Sequence, residues 1–141
     1  MDALTFLSSQ VALFEGLSQD ELTPLAVNSK LVQLTSGQIV LRAGMTVDDV
    51  YVIATGKAEV LAKVPNKGMV VVGELGPGDV FGEVSIVEKT VAGATVKAGA
   101  DGAYVLLIPE GPFQDLIAGN AAFAARVQLL LQARRAPPPK T

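Results

Sequence analysis

The sequence predicts a mainly β fold, of the sandwich or jelly-roll barrel kind, with helices at both ends. Eight short apolar or alternating runs follow one another through the middle of the chain, a spacing typical of all-β domains. Glycines separate the runs at positions where tight connections need a positive φ. Helical periodicity is confined to the two ends. The predicted strands are Leu31–Leu34, Gln38–Arg42, Asp49–Ala54, Lys57–Lys63, Met69–Leu75, Asp79–Phe81, Thr95–Gly99 and Ala103–Ile108.

Two helices are predicted before the strands. Apolar residues recur at helical spacing over Leu4–Leu13. Ser18 and Glu21 have the spacing of a capping box, so a second helix is expected over about Gln19–Ser29. Pro24 lies inside that helix and lacks a backbone donor, which predicts a kink or a tightened first turn.

Two more helices are predicted after the strands. Pro109 ends the β section, and a short helix is expected over Gly111–Ala118. Asn120 is a suitable N-cap for a last helix that runs to about Arg135. An apolar stripe on this helix predicts that it packs against the β section. The stripe consists of Phe123, Val127, Leu130 and Leu131.

The chain length of 141 residues predicts a single domain over residues 1–135. Residues 136–141 contain three consecutive prolines and are expected to form a flexible tail. No apolar run approaches the roughly 18 to 20 residues of a membrane helix. Asp2 stands where a secretory signal would carry positive charge, so the expected location is the cytoplasm.

Composition excludes several function classes. The chain has no cysteine and no histidine, so zinc–sulfur sites, thiolate nucleophiles and the commonest general base are missing. We therefore expect no metal, no cofactor and no catalysis. The net charge of −3, without a basic cluster before the tail, predicts no binding to nucleic acid.

Several short segments, in their order along the chain, resemble the recurring segments of the cyclic nucleotide-binding domain family. The resemblance spans most of the chain, about Leu13–Leu131, and includes the sensor domains of Crp/Fnr-type regulators and the regulatory domain of cAMP-dependent protein kinase. It implies an eight-stranded antiparallel β-roll, a double-stranded β-helix, between N-terminal and C-terminal helices. The segments are Leu13–Ser18, Gly37-Gln38, Ala43-Gly44, Tyr51–Lys57 and Leu75–Glu83.

The resemblance places the ligand inside the roll, against a phosphate-binding cassette that corresponds to Phe81–Ala98. In that role Glu83 would accept a hydrogen bond from a ribose 2′-hydroxyl, and Gly93 would donate its N–H to the phosphate. Thr95 would contact the base or the phosphate rim. From the residues themselves, Gly82 permits close backbone approach, and the short helix after it would direct free N–H groups at an anion. The predicted ligand-binding residues are Gly82, Glu83, Val84, Ser85, Ala92, Gly93, Ala94 and Thr95.

The cassette departs from the family pattern at Val91 and Ala92, where members that bind cyclic nucleotides typically have proline and arginine. That arginine pairs bidentately with the phosphate, a geometry that lysine does not reproduce. Loss of a charge-assisted hydrogen bond costs about 1.5–3 kcal/mol, or roughly 10- to 150-fold in affinity. The sequence therefore predicts weak or absent binding of cyclic AMP and cyclic GMP.

Three functions follow, in decreasing order of support. The first is a non-catalytic regulatory module that acts through a protein partner or a homodimer contact of its C-terminal helix. The second is a sensor that binds a cyclic nucleotide or another nucleotide-like molecule in the roll. The third is a cupin-type enzyme with a similar roll, which the absence of histidine makes unlikely because such enzymes usually hold a metal through histidines.

Overall fold

A computed structural model describes residues 2–135, so the predicted tail at 136–141 lies outside the described residues. Each helix begins close to where its cap or periodicity predicts it. The helices are α1 (Ala3–Gln10), α2 (Gln19–Asn28), α3 (Glu83–Glu88), α4 (Glu110–Gly119) and α5 (Ala121–Arg135), with a 3₁₀ turn at Ala12–Phe14. The strands are β1 (Lys30–Leu34), β2 (Ile39–Leu41), β3 (Asp49–Val64), β4 (Gly68–Leu75), β5 (Val80–Phe81) and β6 (Thr95–Pro109).

The strands form one antiparallel sheet in the order β1-β6-β3-β4, with β2 also paired to β6 and β5 to β3. This confirms an antiparallel β fold with flanking helices, but the prediction of eight strands is wrong. The described residues form six strands, because β3 and β6 each join two predicted runs across a bend. The prediction treats glycines as strand ends, whereas Gly56 and Gly102 allow β3 and β6 to bend together without ending.

The bend brings Gly56 of β3 against the turn at Gly102 of β6. Gly56 has a φ of +80°, and a Cβ atom there would lie 2.4 Å from the backbone oxygen of Gly102. The pairing register between the two strands shifts on both sides of this point, between Ile53 and Thr55 and between Gly56 and Ala58. No other residue type allows such close approach at this φ, so the strand ladder continues through the bend instead of ending.

The predicted capping residues are found at the starts of α2 and α5. The Ser18 hydroxyl accepts from the Glu21 N–H at 3.1 Å, and the Glu21 carboxylate accepts from the Ser18 N–H at 3.0 Å. This confirms the capping box of α2, and Pro24 lies inside that helix as predicted. Asn120 caps α5, because its side-chain oxygen accepts from the Phe123 N–H at 3.0 Å.

Buried apolar side chains form one cluster that joins the sheet to the helices. Phe123 of α5 stacks on Phe14 at a ring distance of 5.8 Å and meets the edge of Phe113 of α4 at the same distance. Val127 and Leu131 are also buried, which confirms that these residues of the stripe face the core, but the ring contacts of the stripe are with the 3₁₀ turn and α4 and not with the predicted β section. Aromatic pairs of this geometry stabilise a core beyond the area they bury.

In the part of the chain from 2 to 135, no single helix has the length and hydropathy needed to cross a membrane. Residues 110–119 and 121–133 meet those criteria only as a pair, and the two helices are bent by 116° at the break between them.

Candidate functional site

A cavity of about 390 Å³ lies between α3, the segment that follows it, and the inner face of the sheet. Seven of the eight predicted ligand-binding residues line it, and Thr95 is the exception. The volume is within the range of small-molecule sites, roughly 300 to 1,000 Å³. The lining residues are Leu41, Val60, Phe81, Gly82, Glu83, Val84, Ser85, Thr90, Val91, Ala92, Gly93, Ala94 and Val96.

Gly82 turns the chain from β5 into α3. It has a φ of +87°, and a Cβ atom there would lie 2.9 Å from the Tyr51 ring and 3.2 Å from the backbone oxygen of Asp49. The Tyr51 ring stacks on Phe81 with centroids 4.8 Å apart. Close approach at Gly82 is therefore needed for packing on β3, whatever lies in the cavity.

Backbone hydrogen bonds hold Ala92 in place. Its N–H donates to the Met45 oxygen at 2.9 Å, and its oxygen accepts from the Gly44 N–H at 2.8 Å. Its side chain is buried and faces the cavity. The Ser85 hydroxyl donates to the Val91 oxygen at 3.2 Å, which ties α3 to the same segment. Ala92 is thus held on both sides of its backbone and presents only a methyl group to the cavity.

Of the predicted residues Thr95 and Gly93, only Gly93 lines the cavity. The Thr95 hydroxyl accepts from the Ala43 N–H at 3.0 Å, so Thr95 closes the loop before β3 instead of lining the cavity. Gly93 does line it, and no atom lies within 4 Å of where its Cβ would be. Packing does not demand a glycine at this position, so its small size leaves open space in the cavity.

Glu83 is the one charged residue among the described residues that line the cavity, and it is fully buried. Lys89 lies at the other end of α3 and lines a separate cavity of about 370 Å³ together with Asp48 and Glu110. On the far side of Gly82, burial and then the neighbouring charge of Asp48 raise the pKa of the Asp49 carboxyl. Burial also raises the pKa of Tyr51, with smaller effects from Asp49 and Asp48.

Two lining residues, Leu41 of β2 and Val60 of β3, lie outside the predicted cassette, and sequence reasoning missed them. Both lie in predicted strands, but only strand pairing brings them to the cassette. Val96 of β6 pairs with Leu41 on one side and with Val60 on the other. No local signal in either run could have shown this contact.

The model of the cyclic nucleotide-binding domain family matches residues 31–120 of this chain, which include the sheet, α3 and the cavity. The chain belongs to the cyclic nucleotide-binding domain family. This confirms the predicted resemblance, and the family assigns the chain to regulatory binding modules.

Curated relatives that carry a cyclic nucleotide-binding domain are much longer than this chain. A putative potassium channel protein of Rhodopseudomonas palustris is 26% identical over 126 residues, which cover 89% of this chain and 30% of that protein. The cAMP-dependent protein kinase regulatory subunit of Mycosarcoma maydis is 35% identical over 88 residues, which cover 62% of this chain and 17% of the subunit. The chain therefore spans less than a third of either relative.

Solved structures share the cyclic nucleotide-binding domain fold at low identity. The catabolite activator protein of Thermus thermophilus has a TM-score of 0.74 at 23% identity, covering 86% of this chain and 57% of that one. The regulatory domain of Toxoplasma gondii PKA, crystallised with cAMP, has a TM-score of 0.78 at 24% identity, covering 94% and 48%. A third structure is the regulatory subunit of a cAMP-independent protein kinase A of Trypanosoma brucei, in a variant with three substitutions that is bound to cAMP in its A site. Its TM-score is 0.77 at 21% identity, and the match covers 96% of this chain and 46% of that one.

Proposed function

We propose that this chain is a non-catalytic regulatory module whose cavity binds cyclic AMP and cyclic GMP weakly or not at all, and which acts through protein contacts. The observation that carries the proposal is the short, immobile side chain of Ala92 in a cavity whose one charged lining residue, among those described, is the acid Glu83. A cyclic phosphate placed there would lack the bidentate guanidinium contact that an arginine at this position could provide.

The backbone around the cavity offers only part of the missing stabilisation. The α3 helix begins at Glu83, so its first N–H groups lie close to the cavity, but α3 has only six residues. Both backbone polar groups of Ala92 are already used by the loop at Gly44 and Met45. A bidentate arginine contact therefore has no substitute of equal strength among the described lining residues.

The Trypanosoma brucei relative supports this reading. It is described as a cAMP-independent kinase subunit, whereas a variant of it with three substitutions, one of which replaces a threonine by arginine, is bound to cAMP. A variant of that relative that gained an arginine is thus one that is bound to cyclic AMP.

Installing arginine at Ala92 tests the proposal. We expect no heat of binding for the unmodified chain with cyclic AMP or cyclic GMP in the micromolar range by isothermal titration calorimetry. Ala92→Arg should bind cyclic AMP about 10- to 150-fold more tightly than the unmodified chain, which is the range expected for one charge-assisted hydrogen bond. Micromolar binding by the unmodified chain would refute the proposal.

Ala100→Arg is the matched control, because Ala100 is an exposed alanine on β6 that lines a different cavity. It adds the same side chain and charge without placing either near Glu83. Equal gains from both variants would mean that net charge, not phosphate pairing, limits binding. Thermal unfolding of each variant shows whether the buried Ala92 position accepts arginine without loss of the fold.

A second function has an observation in its favour: the cavity is not filled by side chains, and Gly93 faces open space. This favours a sensor for a ligand that is less anionic than a cyclic nucleotide. A ligand specific for the native state raises the melting temperature, so a thermal-shift screen of nucleotides and uncharged metabolites would find it. Gly93→Ala should leave the unliganded melting temperature unchanged while reducing the shift caused by any ligand that fills this space.

The protein contact is proposed to involve α5. Leu129 projects outward from this helix with 67% of its surface exposed. The stripe at Phe123, Val127 and Leu131 is buried on the opposite side of the helix. An apolar residue on the outer side of a helix is suited to a partner or a second copy. The absence of nucleic-acid binding and the cytoplasmic location, expected from charge and from the N-terminal residues, stay predictions.

A further inference from the structure

A second surface, which does not line the ligand cavity and is independent of the proposed function, is formed by the outer edge of β4. β4 is the last strand of the sheet path, and no strand in the described part of the chain pairs with its outer edge. An edge strand exposes a row of backbone N–H and C=O groups that can pair with another extended segment. The kind of occupant is thereby limited to a β-strand.

The side chains of this edge are apolar and exposed. Met69, Val71 and Val72 have 48%, 52% and 57% of their surface exposed. Between Gly68 and Gly73 the strand contains no proline and no charge, the residues that usually protect an edge from pairing. Val72 is an extra residue in the pairing with β3, since Val60 pairs with Gly73 and Leu61 with Val71. In the apolar part of the edge, from Gly68 to Gly73, this bulge is the one feature that opposes pairing with another strand.

We propose that the occupant is a second copy of this chain, with the β4 strands of two molecules paired antiparallel about a twofold axis at Val70. In this register Met69 of each copy lies opposite Val71 of the other on one face of the joined sheet. Paired apolar side chains across two strands are the unit that stabilises a sheet. A twofold contact is self-complementary and closes, so it uses both exposed edges and forms a dimer instead of a fibre.

Charge at the two ends of the strand favours a second copy over an unrelated peptide. Lys67 precedes β4, and Glu74 lies near its end with a side chain that is 60% exposed and has Lys57 of the same chain 3.4 Å away, an exposed pair that leaves Glu74 open to a further cation. When the extra residue Val72 is taken up by the bulge, an antiparallel pair centred on Val70 brings Lys67 of each copy opposite Glu74 of the other. Opposite charges directly across two strands are stabilising, and symmetry provides the pair twice.

Cysteine cross-linking tests the contact directly, because the natural chain has no cysteine. Residues opposite each other in antiparallel strands have Cα atoms about 4.5 to 5.5 Å apart, within the range of a disulfide. Val70→Cys should therefore form a covalent dimer under mild oxidation. Val27→Cys, at a position on α2 that is 73% exposed, measures how fast disulfides form by random collision. Leu129→Cys tests the alternative in which two copies meet through α5.

Cross-linking of Val70→Cys no faster than of Val27→Cys would overturn the proposal. So would a dimer trapped by Leu129→Cys but not by Val70→Cys, because that would place the contact on α5. A chain that sediments as a monomer at millimolar concentration would overturn it as well.

The apolar and charged parts of the edge are tested separately by sedimentation equilibrium of the full chain. Val71→Lys should weaken the dimer by at least about tenfold, since a charge on the edge opposes pairing. Lys67→Glu and Glu74→Lys should each weaken it by about 2- to 30-fold, and the double swap should restore it. Failure of the double swap to restore the dimer, or no effect of Val71→Lys, would contradict this register. Val71 is half exposed, so thermal unfolding should show that the fold of each monomer is retained.

Discussion

At the scale of single residues, the environment of Gly82 and Asp49 shows how packing and charge meet next to the cavity. Gly82 was predicted as a glycine on which a ligand could approach, but the atoms nearest to its missing Cβ belong to Tyr51 and Asp49. Its positive φ and its contact with β3 explain the glycine without a ligand. Gly93 is the reverse case, because only open space surrounds it. Residue type alone could not distinguish these two roles.

The carboxyl of Asp49 provides a prediction at this scale. Burial, and then the charge of Asp48, raise its pKa above the ordinary value of 3.8. A raised pKa in the folded state means that folding favours the protonated form, so the associated stability is present at acid pH and lost as pH rises through the folded pKa. Asp49→Asn should therefore be more stable than the natural chain at pH 7, by less than about 1 kcal/mol for a partly screened charge.

The Asp49→Asn difference should shrink toward zero below about pH 4, where the natural carboxyl is protonated in both states. Urea unfolding at pH 7 and at pH 3 measures it. Asp101→Asn, at an exposed position on β6, is the control for the same substitution elsewhere on the surface. A stability gain that is equal at both pH values would show that the carboxyl charge is not the cause.

At the scale of elements, the two predicted helix caps turn out to be one network. Glu21 uses one carboxylate oxygen for the Ser18 N–H and the other for the side-chain amide of Asn120, at 2.6 Å. The oxygen of the same Asn120 side chain caps α5. Each cap was predictable from local spacing. Their connection was not, because 99 residues separate Glu21 from Asn120 and only packing of α2 near α5 brings them together.

Substitutions at Asn120 should separate the cap from the connection. Asn120→Ala removes both the cap of α5 and the hydrogen bond to Glu21, and it should lower the free energy of unfolding by about 1–2 kcal/mol. Asn120→Asp keeps an acceptor for the Phe123 N–H but loses the donor and places a second carboxylate beside Glu21. The pKa of Glu21 is lowered mainly by the Ser18 N–H and next by Asn120, so this stabilisation is present above the ordinary value of 4.5 and is lost as pH falls through the folded value.

Asn120→Asp should therefore be less stable than the natural chain at pH 7 and approach it near pH 3, as measured by urea unfolding. Gln128→Ala, on the exposed side of α5, serves as the control for a helix substitution outside the network. Equal stability of Asn120→Asp and the natural chain at pH 7 would show that the bond to Glu21 contributes nothing.

At the scale of the whole molecule, α5 holds the N-terminal segment to the rest of the chain. A guanidinium nitrogen of Arg126, Nη1, donates to the backbone oxygens of Leu13, at 2.9 Å, and of Glu15. Phe123, one turn earlier, stacks on Phe14. Two consecutive turns of one helix thus contact the 3₁₀ turn through a polar and an apolar interaction. The sequence placed Arg126 in α5 but did not indicate that its partner lies more than 100 residues away.

Arg126→Met keeps the apolar stem and removes both hydrogen bonds. It should lower the free energy of unfolding by about 1.5–3 kcal/mol, the range for hydrogen bonds to a charged group. Amide hydrogen exchange should show faster opening of α1 and the 3₁₀ turn than of β3 and β6, because the lost bonds hold only the N-terminal segment. Arg42→Met, at an exposed site before β3, is the matched control; uniform acceleration across the sheet would contradict a local anchor.

The sequence by itself determined the class of fold, the starts of the helices and the missing arginine, because periodicity, caps and residue identity are local properties. It also located seven of the eight residues proposed for the cavity, since most of them lie in one continuous segment. Only the tertiary structure decided that Gly56 and Gly102 bend two long strands, that Leu41 and Val60 complete the cavity, and that Thr95 bonds to Ala43 instead. Each of these depends on contact between residues far apart in the chain, whose pairing is set by the register of the whole sheet and not by any one run of residues.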